Sequence, residues 1–262
     1  KKYKFKRLKK KYKFDYCNFS SQKKILKKIS KFSPDLILIN SYILTYSLKK
    51  KIYNFNNNIL VIDDNINQKH ICKYYLNYNF FDIALKRKLK QNIKSEKNFI
   101  GPKYFFFDNS SLRKVKKINN QVLVFLGSTN ENNILEKTVS IIRNKIFKKL
   151  RFYIILGNFS KPKIKKSSNN LKFFRTLSQK KYLGIMAKSK YFITSGGVST
   201  WEGLSLKKNM LIISTADNQV NNLDNLQRYK VINYVGKSKH FDYKKSKKKF
   251  LDYFDSRYNH TK

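Results

Sequence analysis

The strongest constraint on the fold is a rhythm in which short, unbroken apolar runs alternate with stretches whose apolar residues recur at helical spacing. Asp35-Leu36-Ile37-Leu38-Ile39 and Asn58-Ile59-Leu60-Val61-Ile62 are continuous runs of the kind buried on both faces of a parallel sheet. Residues 43–53 between them read as a helix. Ahead of them, after the cap-like Ser20-Ser21, Ile25, Leu26, Ile29 and Phe32 recur at helical spacing up to Ser33-Pro34. The second half repeats the rhythm: strand Val122 to Leu126 and a helix to about Lys145, strand Phe152 to Leu156, and a short strand Leu171 to Phe174. A helix near 177–187, strands Tyr191 to Thr194 and Met210 to Ile213, and a helix from Asn218 complete it. Strand, helix, strand at this spacing predicts βαβ units and a doubly wound α/β fold. The pair Gly101-Pro102, followed by the polar stretch 108–120, predicts a boundary between two domains, 1–107 and 108–262.

A chain of 262 residues with 41% hydrophobic content can bury one large or two medium cores. Its 59 Lys and Arg against 15 Asp and Glu, a formal charge of +44, would ordinarily point to nucleic acid or an anionic membrane. The lysines are spread along the whole chain, however, and accompany abundant Asn, Ile, Tyr and Phe with only 8 Gly, 3 Pro and 1 Trp. That is the residue set of AT-rich codons. A solvated lysine surface on an ordinary enzyme therefore ranks ahead of nucleic-acid binding, and the basic field would help attract an anionic nucleotide. From Lys1 to Phe14 lysines alternate with Tyr3, Phe5, Leu8, Tyr12 and Phe14, compatible with an edge strand, a basic amphipathic arm or a cut end. Cys17 and Cys72 are too few for a disulfide framework and lack metal-ligand spacing, which fits a reducing cytoplasm. No run approaches the ~20 apolar residues of a membrane span and no signal-peptide core follows the basic start, so a soluble protein is expected. The first residue is Lys, so the sequence reads as a piece of a longer chain.

Ser195-Gly196-Gly197-Val198-Ser199-Thr200-Trp201-Glu202 joins the run Tyr191 to Thr194 to a helix. A glycine pair at a helix start lets backbone N–H groups approach a phosphate closely, and the positive end of the helix dipole favours the anion. Glu202, about two turns in from the strand's end, would present a carboxylate to the vicinal hydroxyls of a sugar. Gly127-Ser128-Thr129-Asn130 follows the first strand of the second domain and could hold a phosphate with its hydroxyls and N–H groups, or serve as a helix cap. Asn218-Gln219 could read ligand hydroxyls or equally cap a helix. Asp63-Asp64 could be a metal site, a general base or loop caps, and His70, placed in a loop from Asp63 to Asn79, reads as a surface histidine that is more often idle. Tyr42 could offer its phenol to a cleft or simply pack. Trp201 and Met186 are assigned to core.

In order along the chain, Ile62-Asp63-Asp64, His70-Ile71-Cys72, Asn77, Gly101-Pro102-Lys103-Tyr104, Leu126 to Asn130, Ser195 to Glu202 and Asn218-Gln219 form a set. Over about Lys31 to Leu226 this set resembles the UDP-2,4-diacetamido-2,4,6-trideoxy-β-L-altropyranose hydrolases of pseudaminic acid synthesis. These are similar to nucleotide-sugar glycosyltransferases with two facing Rossmann-like domains, including the one that makes peptidoglycan lipid II. The resemblance implies a GT-B architecture with an incomplete N-terminal domain, UDP on the C-terminal domain and the sugar in the interdomain cleft; no cofactor or metal is expected, because helix-terminal N–H groups and hydroxyls would stabilise the departing UDP. By position it implies that Gly196, Gly197, Ser199 and Thr200 hold the diphosphate, while Ser195 and the Gly127-Ser128-Thr129 loop are candidates for the UDP or sugar by their own hydroxyls and N–H groups. It likewise gives Glu202 the ribose and Asn218 and Gln219 the sugar or the phosphate edge, and Tyr42 matches the active-site tyrosine. In the family, an N-terminal Gly-rich loop carries a histidine thought to activate water; it has no counterpart in this sequence. Asn40, Ser128 and Asn130 stand where the family has Asp, Gly and Asp. Hydrolysis of a UDP-linked sugar is the leading expectation, with glycosyl transfer, non-catalytic nucleotide-sugar binding and nucleic-acid binding behind it.

Overall fold

The computed structural model describes residues 21–107, 112, 114–160, 162–164, 169–175 and 177–255. The Lys1–Phe14 pattern, Cys17, Ser20 and the lysines at 161, 165 and 166 lie outside them. Contacts divide the chain into two units: residues up to Asn77 with Leu85–Ile100, and Tyr78–Ala84 with Gly101 onward. Among the described residues no helix is long and apolar enough to cross a membrane.

The first unit is a four-stranded parallel sheet. Helix α1 (Gln22–Phe32) is capped by the Ser21 side chain, which accepts from the Lys24 amide, and precedes β1 (Ile37–Ile39). Helix α2 (Tyr46–Phe55), capped by Thr45, leads to β2 (Ile59–Ile62). Strands β3 (His70–Asn77) and β4 (Ile93–Ile100) flank α3 (Ile83–Gln91) and complete the order β1-β2-β3-β4. Two expectations are corrected. Among the described residues the run around Leu38 is an edge strand rather than one buried on both faces, and Leu36 and Leu38 are 50% and 57% exposed. The segment assigned to a loop contains β3, where polar His70 and Asn77 are buried while Ile71 and Leu76 are half-exposed, so polar residues break the apolar run and hide the strand from a search for unbroken ones.

The second unit is a six-stranded, all-parallel sheet. In chain order come β5 (Ile118–Phe125), α4 (Ile134–Ile142), β6 (Arg151–Ile155), β7 (Leu171–Phe174), α5 (Gln179–Lys188) and β8 (Ser189–Thr194). These are followed by α6 (Val198–Ser205), β9 (Asn209–Ser214), α7 (Val220–Arg228), β10 (Asn233–Lys237) and α8 (Tyr243–Phe254). The strand order is β10-β9-β8-β5-β6-β7. Each face of this sheet carries its own core, because successive side chains on a strand point to opposite sides. Val122 and Val124 pack on one face with Ile134, Val139, Phe152, Ile193 and Phe250. Leu123 packs on the other with Met186, Phe192, Trp201, Met210 and Leu223, which places Met186 and Trp201 in the core as expected. Strand β5 pairs with β6 on one side and with β8 on the other. The chain's winding therefore reverses between β5 and β8, and that reversal opens a crevice at the carboxyl ends of the two strands, the position where ligands of open α/β sheets lie.

Candidate functional site

The loops that leave β5 and β8 meet over this crevice. A cavity of about 420 Å³ is lined by Phe125, Leu126, Gly127, Ser128 and Thr129 from the β5 end, Ser195, Gly197, Val198, Ser199 and Glu202 from the β8–α6 turn, and Tyr182, Thr215 and Gln219. Two motifs about seventy residues apart thus share one wall-to-wall space. Chain reversal brings them together, and it is invisible in either motif alone.

Close backbone approach builds the β5 side. A Cβ on Gly157 would stand 2.3 Å from the Gly127 carbonyl oxygen and 2.4 Å from that of Ser128, so only glycine fits there. The Phe159 amide donates to the Ser128 carbonyl at 2.9 Å, tying the loop down. Asn130 does not start a helix directly. Its side chain receives the Leu135 amide at 3.0 Å and donates to Glu136 at 2.6 Å, and the helix begins only at Ile134 after a 3₁₀ turn.

On the β8 side, Gly197 precedes α6 and no side chain caps that helix. The Thr200 amide donates back to the Gly197 carbonyl at 3.0 Å, and the N–H groups ahead of it lie at the helix's positive end, beside the cavity. The hydroxyls of this turn divide by role. Thr200 is fully buried and its Oγ1 donates to the Ser195 carbonyl at 2.8 Å, which folds the turn back on itself. Ser199 Oγ lies 2.8 Å from Thr194 Oγ1, and Thr194 donates to the Phe125 carbonyl at 2.8 Å, stitching β8 to β5. Gly196 is buried against Leu223 and Gln219 and is not part of the cavity wall. Its amide and that of Thr215 both donate to Gln219 Oε1, at 3.2 and 3.0 Å, so this single amide side chain joins the turns after β8 and β9. Asn218 lies in the same 3₁₀ turn as Gln219, outside the cavity wall.

Glu202 is half-buried on the wall and accepts a hydrogen bond of 3.1 Å from the Tyr182 phenol. Burial raises its carboxyl pKa and the Tyr182 bond partly lowers it. Among the described residues no lysine or arginine lines the cavity, although the chain carries 59 of them. An anion here would be held by N–H and hydroxyl groups. Tyr182, Phe125, Thr215 and Gly157 were not singled out from sequence. Tyr182 sits in an unremarkable amphipathic helix, and only the fold discloses its partner.

In the first unit, Tyr42 follows β1 and Asp63-Asp64 follow β2, so all three stand beyond the carboxyl ends of neighbouring parallel strands. The Tyr42 phenol donates to Asp64 Oδ1 at 2.6 Å. His70 is not at the surface: it is 1% exposed in β3, with Nε2 2.7 Å from Asp63 Oδ2 and Nδ1 3.2 Å from Lys49 Nζ. Lys49, also 1% exposed and with its pKa lowered by burial, donates to Gln68 Oε1 at 2.9 Å, and Gln68 donates to the Tyr42 carbonyl at 2.7 Å. With the ammonium donating, Nδ1 accepts and the Nε2 proton points at Asp63. The result is a closed circuit, Tyr42–Asp64 and Asp63–His70–Lys49–Gln68–Tyr42, that fixes the strand-end loops. Among the described residues no group of His, Cys, Asp and Glu is placed to hold a metal ion.

No protein-family model matches the chain, and no curated protein matches it. Solved structures do. The glycosyltransferase of kitacinnamycin aligns with a TM-score of 0.62 at 13% identity, over 90% of this chain and 72% of that one. UDP-GlcNAc 2-epimerase from Neisseria meningitidis, bound to UDP-GlcNAc, gives 0.60 at 13% identity over 88% and 71%. MurG from Acinetobacter baumannii gives 0.56 at 9% identity over 90% and 70%. The fold is therefore that of the GT-B proteins, two α/β units each built on a parallel sheet.

Proposed function

We propose that the chain binds a UDP-sugar through the second unit's cavity and hydrolyses it, releasing UDP from a UDP-linked diacetamido-trideoxyhexose in nonulosonic acid synthesis. One observation carries this reading: the β5 and β8 loops converge on a crevice at the sheet's winding reversal, with an uncapped helix N-terminus and a wall of hydroxyls. The ordered motif set that resembles the hydrolases supports the substrate, and the similar structures include an epimerase bound to UDP-GlcNAc. In this reading Gly127, Ser128, Thr129, Ser195, Gly197 and Ser199 hold the diphosphate. Gly196 and Thr200 shape the turn, Glu202 takes the ribose, and Gln219 offers its Nε2 while Asn218 supports it. The division at 107/108 separates a sugar-handling portion, with Tyr42 as its catalytic group, from the UDP-holding portion. A water oxygen attacks the anomeric carbon, the bond from that carbon to the phosphate oxygen breaks, UDP leaves with the bonding pair, and a base takes the proton of water. The departing charge is stabilised by helix-terminal N–H groups and hydroxyls. The proposed setting is the cytoplasm.

A second reading is glycosyl transfer, favoured by the glycosyltransferase and MurG among the similar structures. The test is incubation of the full chain with UDP-linked diacetamido sugars and measurement of free UDP. Release without any acceptor supports hydrolysis, and release only on adding a lipid or saccharide acceptor selects transfer. Binding without release would leave a nucleotide-sugar binder, a role for which Asn40 and Asn130 in place of acids would account.

A further inference from the structure

Glu202 and Tyr182 come from different helices, α6 and α5, and meet at 3.1 Å on the cavity wall. The Tyr182 ring is held edge-on against Phe125 with centroids 5.4 Å apart, so the phenol is fixed by packing as well as by its bond. Burial and the adjacent Glu202 carboxylate push the phenol's pKa well above its ordinary value. The hydroxyl therefore keeps its proton and acts as a standing donor. It engages Oε2 alone, which leaves Oε1 for a ligand in a cavity whose wall, among the described residues, carries no other ionisable side chain apart from this pair. A half-buried carboxylate with three side-chain torsions would otherwise sample several rotamers, most of them useless to a ligand. Tying one oxygen removes that freedom and turns the other toward hydroxyl donors. Such an acceptor also discriminates, because a ligand lacking those hydroxyls leaves the carboxylate unpaired.

We infer that Tyr182 is a positioning residue: it aims Glu202 so that the cavity prefers a ribonucleoside diphosphate over one lacking the ribose hydroxyls. The inference rests on the cavity being a nucleotide seat. It is tested by calorimetry on the full chain, wild type and Tyr182→Phe, with UDP, 2′,3′-dideoxy-UDP and inorganic pyrophosphate as titrants. The phenylalanine keeps the ring and its contact with Phe125. The wild type should bind UDP about 10-fold or more tighter than the dideoxy compound, and the variant should lose most of that preference. Pyrophosphate affinity should be the same in both. Since the lost bond lowered the Glu202 pKa, UDP affinity of the variant should also begin to fall at a higher pH on acidification than that of the wild type. An unchanged UDP-to-dideoxy ratio in Tyr182→Phe, or an equal loss for pyrophosphate, would overturn the inference alone. A wild type that binds none of the three would overturn the nucleotide reading and the inference with it.

Discussion

At the scale of single residues, the two neighbouring glycines of the β8–α6 turn have different jobs. A Cβ on Gly196 would stand 2.6 Å from Leu223 Cδ1 and 2.9 Å from Gln219 Cβ, while one on Gly197 would meet only Gln219 Nε2, at 4.0 Å. Gly196→Ala should therefore overpack the junction with α7 and destabilise the fold by about 1–3 kcal/mol in chemical denaturation. Gly197→Ala should cost only about 1 kcal/mol or less, the N-cap preference for glycine over alanine, and instead weaken UDP binding, since it narrows the approach to the helix's first N–H groups. Equal stability loss in both variants would show that the turn is only a packing feature. The sequence displays the glycine pair but not this division, because the neighbours that make Gly196 necessary lie more than twenty residues away. Tyr182 was hidden for the same reason, as was the burial of His70: Asp63 and Lys49 claim both of its ring nitrogens, and neither pairing is encoded in local spacing.

At the scale of elements, legibility followed apolar content: the edge strands β1 and β7 were read along with the central ones. The strands buried within the second sheet, β5, β6, β8 and β9, read directly as apolar runs, and the helices after them were found to within a few residues. The strands that escaped were β3, with its mixed pattern, and β4 and β10, which lie at sheet edges and carry Lys, Glu and Asn where water reaches them. One element junction bears a measurable charge effect. Lys208, buried after α6, donates from Nζ to the carbonyls of Ala187 and Ser189, at 2.6 and 2.7 Å, where α5 turns into β8. Burial lowers its pKa from 10.5 to about 8. Below pH 8 both folded and unfolded chains hold the proton and the burial penalty is fully present. Between 8 and 10.5 the folded chain has released it while the unfolded chain has not, so stability gains as pH rises through that window. The difference in unfolding free energy between wild type and Lys208→Met should therefore shift toward the wild type by about 1–3 kcal/mol from pH 8 to 10.5. A pH-independent difference would place Lys208 in a wetter setting.

At the scale of the whole molecule, two facts pull apart: a formal charge of +44 and a candidate anion site whose wall, among the described residues, holds no cationic side chain. The charge then acts at a distance, by steering, and the local donors supply the contact. Steering is screened by salt whereas short hydrogen bonds in a recess are screened far less. Between roughly 50 and roughly 500 mM NaCl the association rate of UDP in stopped-flow should drop by on the order of 3- to 10-fold with the dissociation rate little changed. A salt effect falling mainly on dissociation would mean that lysines touch the ligand directly. The α/β class with two parallel sheets was readable from rhythm. Strand order was not, and it is the order β9-β8-β5-β6 that turns two separate glycine loops into one recess.

Hydrogen–deuterium exchange of the full chain with and without UDP tests that recess most directly. The account predicts slowed exchange in the amides of 127–129 and 195–202, with smaller protection near Gln219 and Thr215. Protection confined to other segments, or none at saturating UDP, would contradict it.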